Sequence, residues 1–160
     1  MVRIMIGIPG SGKTTYIKNN PLEDEIIISP DELRRSLFGN INVNNKNDIV
    51  FKTAFELLNS SLKNGNNISF DATNVKLSSI EKILDVVSNY KEDVCFVVMM
   101  TNPEVCKERI KNDLKNGIDR SNVPNEVVDR MYENLKKLEL PVFEWNNKYS
   151  SINFSLFYKT

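Results

Sequence analysis

Residues 3–20 read RIMIGIPGSGKTTYIKNN, and the reading of this stretch decides the fold. Val2 to Ile6 is short and mostly apolar, with three β-branched residues, as expected of a buried parallel strand. Tyr16 and Ile17 already belong to a helix. Between strand and helix the chain must turn sharply and leave its N–H groups bare. Gly7, Gly10 and Gly12 permit positive φ and close approach by another group. Bare N–H groups at a helix start attract an anion. The spacing Gly7-x-x-x-x-Gly12-Lys13-Thr14 completes the P-loop pattern, in the strand-to-helix setting the pattern requires. Lys13 is expected to reach a β- or γ-phosphate and the Thr14 hydroxyl to ligate Mg²⁺. Pro9, Ser11 and Thr15 fill out a nucleotide cradle. The implied cofactors are ATP and Mg²⁺.

Working outward, strands and helices alternate. Strands are expected at Val2–Ile6, Glu25–Ser29, Asn67–Phe70, Val94–Met100 and, more weakly, Ile152–Phe157. Helices are expected from Lys13, from Pro30 to Phe38 with Gly39 as stop, and from Asn47 to Lys63. Others follow from Ser78 (a capping box with Glu81), from Asn102-Pro103 to about Asn116, and from Pro124 to about Leu138. This order implies an α/β fold with a mainly parallel five-stranded sheet and helices on both faces. Strand one should be central between strands three and four, with strand two at an edge. Ligands in such sheets sit at the carboxyl ends of the strands.

The chain has 160 residues, consistent with one domain over 1–160. Its 21 basic and 21 acidic residues cancel, so an extended grip on long duplex DNA is not expected. No apolar run approaches the ~20 residues of a membrane span. A cleaved leader would remove the P-loop. Cys95 and Cys106 are isolated and read as reduced thiols of a cytoplasmic protein. The sequence contains no histidine. Proton abstraction therefore falls to Asp, Glu, Lys or Tyr.

The second strand ends in SPDELRRSLFG, residues 29–39. Asp31 and Arg34 share a helix face, and suit the base and the acceptor-holding cation that phosphoryl transfer needs. Alone, Asp31 would pass for a first-turn carboxylate favoured by the helix dipole. Its place after the strand that follows the P-loop strand in sequence argues for more. The third strand ends in SFDATN, residues 69–74. Asp71 closes a buried strand and suits Mg²⁺ or its water. Thr73 and Asn74 are candidates for the acceptor side, although Asp and Asn also favour turns. Past the fourth strand, TNPEVCKERIKNDLKNGIDRSNVP (residues 101–124) carries Arg109, Lys115 and Arg120. An arginine on a loop that closes over the donor neutralises charge in many phosphoryl-transfer enzymes.

Together, GIPGSGKTT, SPDELRRSLFG, DATN, NPEVCKERI and VPNEVVDRMYENL resemble the polynucleotide kinase-type P-loop kinases, from Met1 to about Leu140. The resemblance implies a three-layer P-loop NTPase/kinase fold with a helical lid at about 109–124. It implies that Asp31 is the base for a 5′-hydroxyl and that Arg34 contacts the acceptor phosphate. Lys13 and Thr14 would then serve the donor phosphates and Mg²⁺, and Arg109 and Arg120 would be the lid arginines. Ala72, between Asp71 and the Thr73-Asn74 pair, departs from some relatives. Three functions follow as expectations. The first is transfer of γ-phosphate to a 5′-hydroxyl end of RNA or DNA. The second is phosphorylation of a small hydroxylated metabolite, modified base or aminoacyl-tRNA. The third is an ATP-binding or ATPase switch. The Asp31–Arg34 pair favours the first two, since no acidic pair closes strand three or four to position a water.

Overall fold

A computed structural model describes residues 1–160. Five parallel strands stand in the order β2-β3-β1-β4-β5: β1 Val2–Ile6, β2 Glu25–Ile28, β3 Asn67–Phe70, β4 Glu92–Met99 and β5 Ile152–Lys159. The P-loop strand lies between β3 and β4 and β2 forms an edge, as the sequence implies. Helices α1 Lys13–Asn19, α2 Pro30–Phe38, α3 Asn47–Lys63, α4 Leu77–Val87, α5 Pro103–Lys115, α6 Asn125–Lys137 and α7 Val142–Lys148 complete the chain.

The two sheet faces are unequally covered. Val2, Ile4 and Ile6 point into a core of 25 buried residues shared with α3 to α7, including Leu58, Ile83, Ile110 and Leu135. Met5 points the other way, into a four-residue cluster with Ile17 of α1, Cys95 and Val97. On that thinner side Arg3 is 4% exposed. Its guanidinium donates to Glu25 at 2.6 Å, Ser69 at 2.8 Å and the Asn20 carbonyl at 2.7 Å. A buried charge needs such partners on every side.

Local signals set most boundaries. The Ser29 hydroxyl accepts from the Glu32 N–H, Pro30 opens α2, and Gly39 closes it at φ +69°. Asn102 caps α5 in the same way through the Glu104 N–H. Four expectations need correction. The capping box at Ser78 and Glu81 is absent: α4 begins at Leu77, after Lys76, with no side-chain cap. Glu81 instead accepts from the Trp145 indole N–H at 3.4 Å. Trp145 belongs to α7, a seven-residue helix that the sequence reading leaves as loop. Too short to persist alone, α7 is held by burial of Trp145 against Phe96 and Phe154 and by the Tyr149 hydroxyl donating to Asp85 at 2.7 Å. Helix α6 starts one residue later than expected, with Pro124 at its cap position. Strand β5 runs to Lys159, two residues further than expected, because β4 pairs with it along its whole length.

Candidate active site

At the carboxyl end of β1 the chain makes two left-handed turns, at Gly10 (φ +79°) and Gly12 (φ +97°). A Cβ at Gly10 would also sit 2.7 Å from the Cys106 carbonyl oxygen, so no other residue fits. The backbone N–H groups of Gly10, Gly12, Lys13, Thr14 and Thr15 find no protein acceptor, and they converge at the start of α1. This is an anion cradle. Lys13 folds back over it, its Nζ donating to the carbonyls of Gly7 at 3.0 Å and Ile8 at 2.9 Å. Burial pulls the Lys13 ammonium down from the ordinary lysine range to about 8, against the attraction of Asp71. A phosphate brought to this amine would supply the counter-charge it lacks.

Pro9, Ser11 and Thr15 line the cleft, and the Ser11 carbonyl is fixed by the Thr101 hydroxyl at 2.8 Å. Gly7 does not line it. Its N–H donates to the Thr73 carbonyl at 2.9 Å, and a Cβ there would collide with Ser11 Oγ and Met99, so its part is close packing behind the loop.

The Thr14 hydroxyl donates to Asp71 Oδ2 at 2.7 Å. Burial pushes the Asp71 carboxyl upward, partly opposed by that hydrogen bond and by Lys13. A hydroxyl and a carboxylate placed together beside a phosphate cradle are hard oxygen ligands of the kind Mg²⁺ takes, so the donor set fits the ion. Thr73 also faces the cleft. Asn74 does not. It is 6% exposed, adopts φ +48°, and its amide donates to the Met5 carbonyl at 2.8 Å. Its side chain stitches β1 to the segment after β3 and is turned away from the acceptor side.

On α2, Arg34 Nη1 donates to Asp31 Oδ1 at 2.9 Å. The opposite edge of the guanidinium, Nε and Nη2, rests on Asn47 Oδ1 at 3.2 and 2.8 Å. Asp31, Arg34, Asp71 and Lys13 all line one cleft of about 1820 Å³. That exceeds the roughly 300–1,000 Å³ of a single small-molecule site and leaves room for a donor and an acceptor.

The cleft is roofed by the loop between α5 and α6. Arg120 Nη1 pairs with Asp113 Oδ2 at 2.7 Å, while its Nε is buried without a partner. Its positive charge bears on Lys13. Arg109, on α5, donates to the Gly10 carbonyl at 3.2 Å and so lies against the P-loop itself. Residues 109–115 of the expected lid are thus helix α5, and the loop proper begins beyond Lys115. Lys115 is exposed and does not line the cleft.

Sequence reasoning misses the residues that fasten this roof. Arg35 Nε donates to Asp119 Oδ2 at 2.7 Å, and the Asn122 N–H donates to Asn42 Oδ1 at 2.9 Å. Both contacts join segments some eighty residues apart, and no local pattern signals them. Asn47 and Phe51 are missed for a different reason. They sit one turn apart on α3, a helix the sequence reading delimits without assigning any of its residues to the site.

A strand-borne phosphate cradle with a basic lid defines the P-loop kinase class of nucleotide-binding domain. A family model described as an AAA domain matches residues 2–138, and the chain belongs to that family. Among solved structures, it superposes on a chain of the Pnkp1/Rnl/Hen1 RNA repair complex with a TM-score of 0.73 at 21% identity, covering 85% of this chain and 44% of that one. The chain therefore spans less than half the length of that relative. A protein of Chloroflexus aurantiacus J-10-fl described as a kinase matches with a TM-score of 0.66 at 15% identity, over 98% of this chain and 85% of that one. Kti12 of Chaetomium thermophilum, in complex with ADP-AlF3, matches with a TM-score of 0.54 at 20% identity, over 100% and 89%. The molecule is a P-loop kinase-type, nucleotide-using domain. None of its helices is long and apolar enough to cross a membrane.

Proposed function

We propose that this domain transfers the γ-phosphate of ATP to the 5′-hydroxyl of an RNA or DNA end. The observation that carries the reading is the Asp31–Arg34 pair, which lines the same cleft as Lys13 and Asp71. Asp31 takes the proton of the 5′-hydroxyl as its oxygen bonds to the γ-phosphorus. The bond from phosphorus to the β–γ bridging oxygen breaks, and ADP leaves with the electron pair. Arg34 holds the acceptor's phosphate, the P-loop N–H groups and Lys13 hold the donor, and Arg120 faces the charge on the transferring group. Thr14 and Asp71 would hold Mg²⁺, which supplies charge neutralisation between the β- and γ-phosphates when bound.

Phe51 supports a nucleic-acid acceptor. Its ring is 38% exposed and lines the cleft, where an aromatic face offers a base a stacking surface. The match to a chain of an RNA repair complex points the same way. A balanced net charge favours a short contact at a strand end over a long polymer groove.

Radiolabelled ATP offered with a panel of 5′-hydroxyl RNA, 5′-hydroxyl DNA, nucleosides and small hydroxylated metabolites tests the reading. Label on an oligonucleotide end is the expected result. Label only on a small molecule moves the domain to metabolite kinases, and release of free phosphate alone makes it an ATPase switch.

A further inference from the structure

We propose that Asn47 is a positioning residue that sets Arg34 for catalysis, an inference that rests on the kinase reading above. Arginine carries a planar fork of donors on a long, flexible stem. Its usefulness at the acceptor's phosphate depends on which edge faces the substrate. Asn47 Oδ1 takes the Nε–Nη2 edge with two contacts, at 3.2 and 2.8 Å, and Asp31 takes Nη1 at 2.9 Å. One donor on each terminal nitrogen is left for the acceptor. Both Asn47 contacts fall on its oxygen, as the guanidinium's all-donor edge requires.

The Asn47 side chain is not occupied with its own helix. An asparagine at a helix start would ordinarily accept from the backbone of the first turn. Here Lys46 holds the cap position, α3 has no side-chain cap, and Asn47 faces across to α2 instead. Arg34 is thereby held while its side chain remains only 13% exposed, beside an Asp31 side chain that is 48% exposed. Without Asn47, nothing in the structure takes the Nε edge, and the guanidinium is free to swing about Asp31. Residues that orient metal ligands from behind typically cost about 10–100-fold in function when removed, and a loss of that order is expected here.

The test is a double-mutant cycle of Asn47→Ala and Arg34→Ala, read by phosphate transfer to a 5′-hydroxyl oligonucleotide bearing a 3′-phosphate. Asn47→Ala should lower kcat/KM for the acceptor about 10–100-fold and leave the KM for ATP unchanged. In the Arg34→Ala background its removal should cost nothing further. Asn47→Asp, which keeps an oxygen on the Nε edge, should recover most of the loss. Equal losses in both backgrounds, or no loss in either, overturn the proposal. The Arg34 Nε–Hε resonance gives a second readout that needs no activity. It should be resolved and slow to exchange in the wild type and averaged in Asn47→Ala, and identical spectra overturn the proposal. Should the wild type label no oligonucleotide, the nucleic-acid reading fails on that result alone, and the resonance still decides what Asn47 does.

Discussion

The two ends of the cleft are built from different materials. The end proposed for the donor is backbone: the unpaired N–H groups of residues 10 and 12–15, fixed by two left-handed glycines, with the long side chains of Lys13 and Arg109 laid against it. The end proposed for the acceptor is side chains: Asp31, Arg34 and Asn47 from two helices, roofed by Arg120 from a loop. A cradle of backbone amides suits a ligand that never changes, such as a triphosphate. Side chains can be exchanged without disturbing the fold, which suits the end where related kinases must differ.

The largest effect expected from this contrast is at Lys13. Lys13→Met should reduce transfer to background and strongly weaken ATP binding, because no backbone donor replaces the lysine's charge at the β- and γ-phosphates. It should not lower the melting temperature of the ligand-free protein. Charged Lys13 is penalised in the folded state, where its pKa lies near 8 against 10.5 unfolded. The penalty is fully present below pH 8 and fades as the pH rises through 8 toward 10.5, because the unfolded chain then holds more protons. Thermal melts of both proteins from pH 7 to 10 should therefore show Lys13→Met at its greatest relative advantage at pH 7. A variant that melts lower than wild type at pH 7 would mean that the contacts to Gly7 and Ile8 are structural supports.

Next in size is Asp31→Asn, which should cost roughly 10²–10⁴-fold in transfer. ATP affinity should be untouched, and stability should fall by no more than about 1 kcal/mol, since the amide keeps much of the local bonding. Coupled loss of ATP affinity, measured by calorimetry on the same protein, would erase the division between the two ends. Arg120→Ala should cost about 10²–10³-fold in turnover and raise the KM for ATP, with folding intact. Unchanged kinetics would shift the lid role to Arg109 at the P-loop. The smallest effect should come from Arg35→Ala. It removes an exposed pair with Asp119, so steady-state transfer should change by no more than roughly fivefold.

The same contrast explains what was legible in the sequence. The P-loop is a local device whose glycines, lysine and threonine are adjacent in the chain, and it marked the position of β1, the start of α1 and the bare N–H groups between them. Strand order followed from alternation and from the unbroken apolar run of β4. Asp31 and Arg34 could be found because one helical turn joins them. Asn47 could not, since its partner lies on another helix and asparagine at a helix start ordinarily reads as a cap. Helix α7 has too few residues to show periodicity, and it depends on Trp145 packing against Phe96 of β4, distant in the chain. Asn74 looked available because it follows the third strand and carries an amide that can donate or accept, and only its left-handed backbone and its bond to Met5 reveal that it is spent inside.

The fastening of the roof has a kinetic corollary. Asp119 and Asn122 are held by Arg35 and Asn42, on the acceptor-side helix α2 and the loop that follows it. On the reaction proposed above, the products would leave a cleft whose roof is fastened along one side. Escape, and not bond-making, should then govern the steady rate. Rapid-quench mixing should reveal an initial spurt of phosphorylated ends, matched to the number of enzyme molecules, before the slower linear phase. In Arg35→Ala the linear phase should quicken toward the initial one.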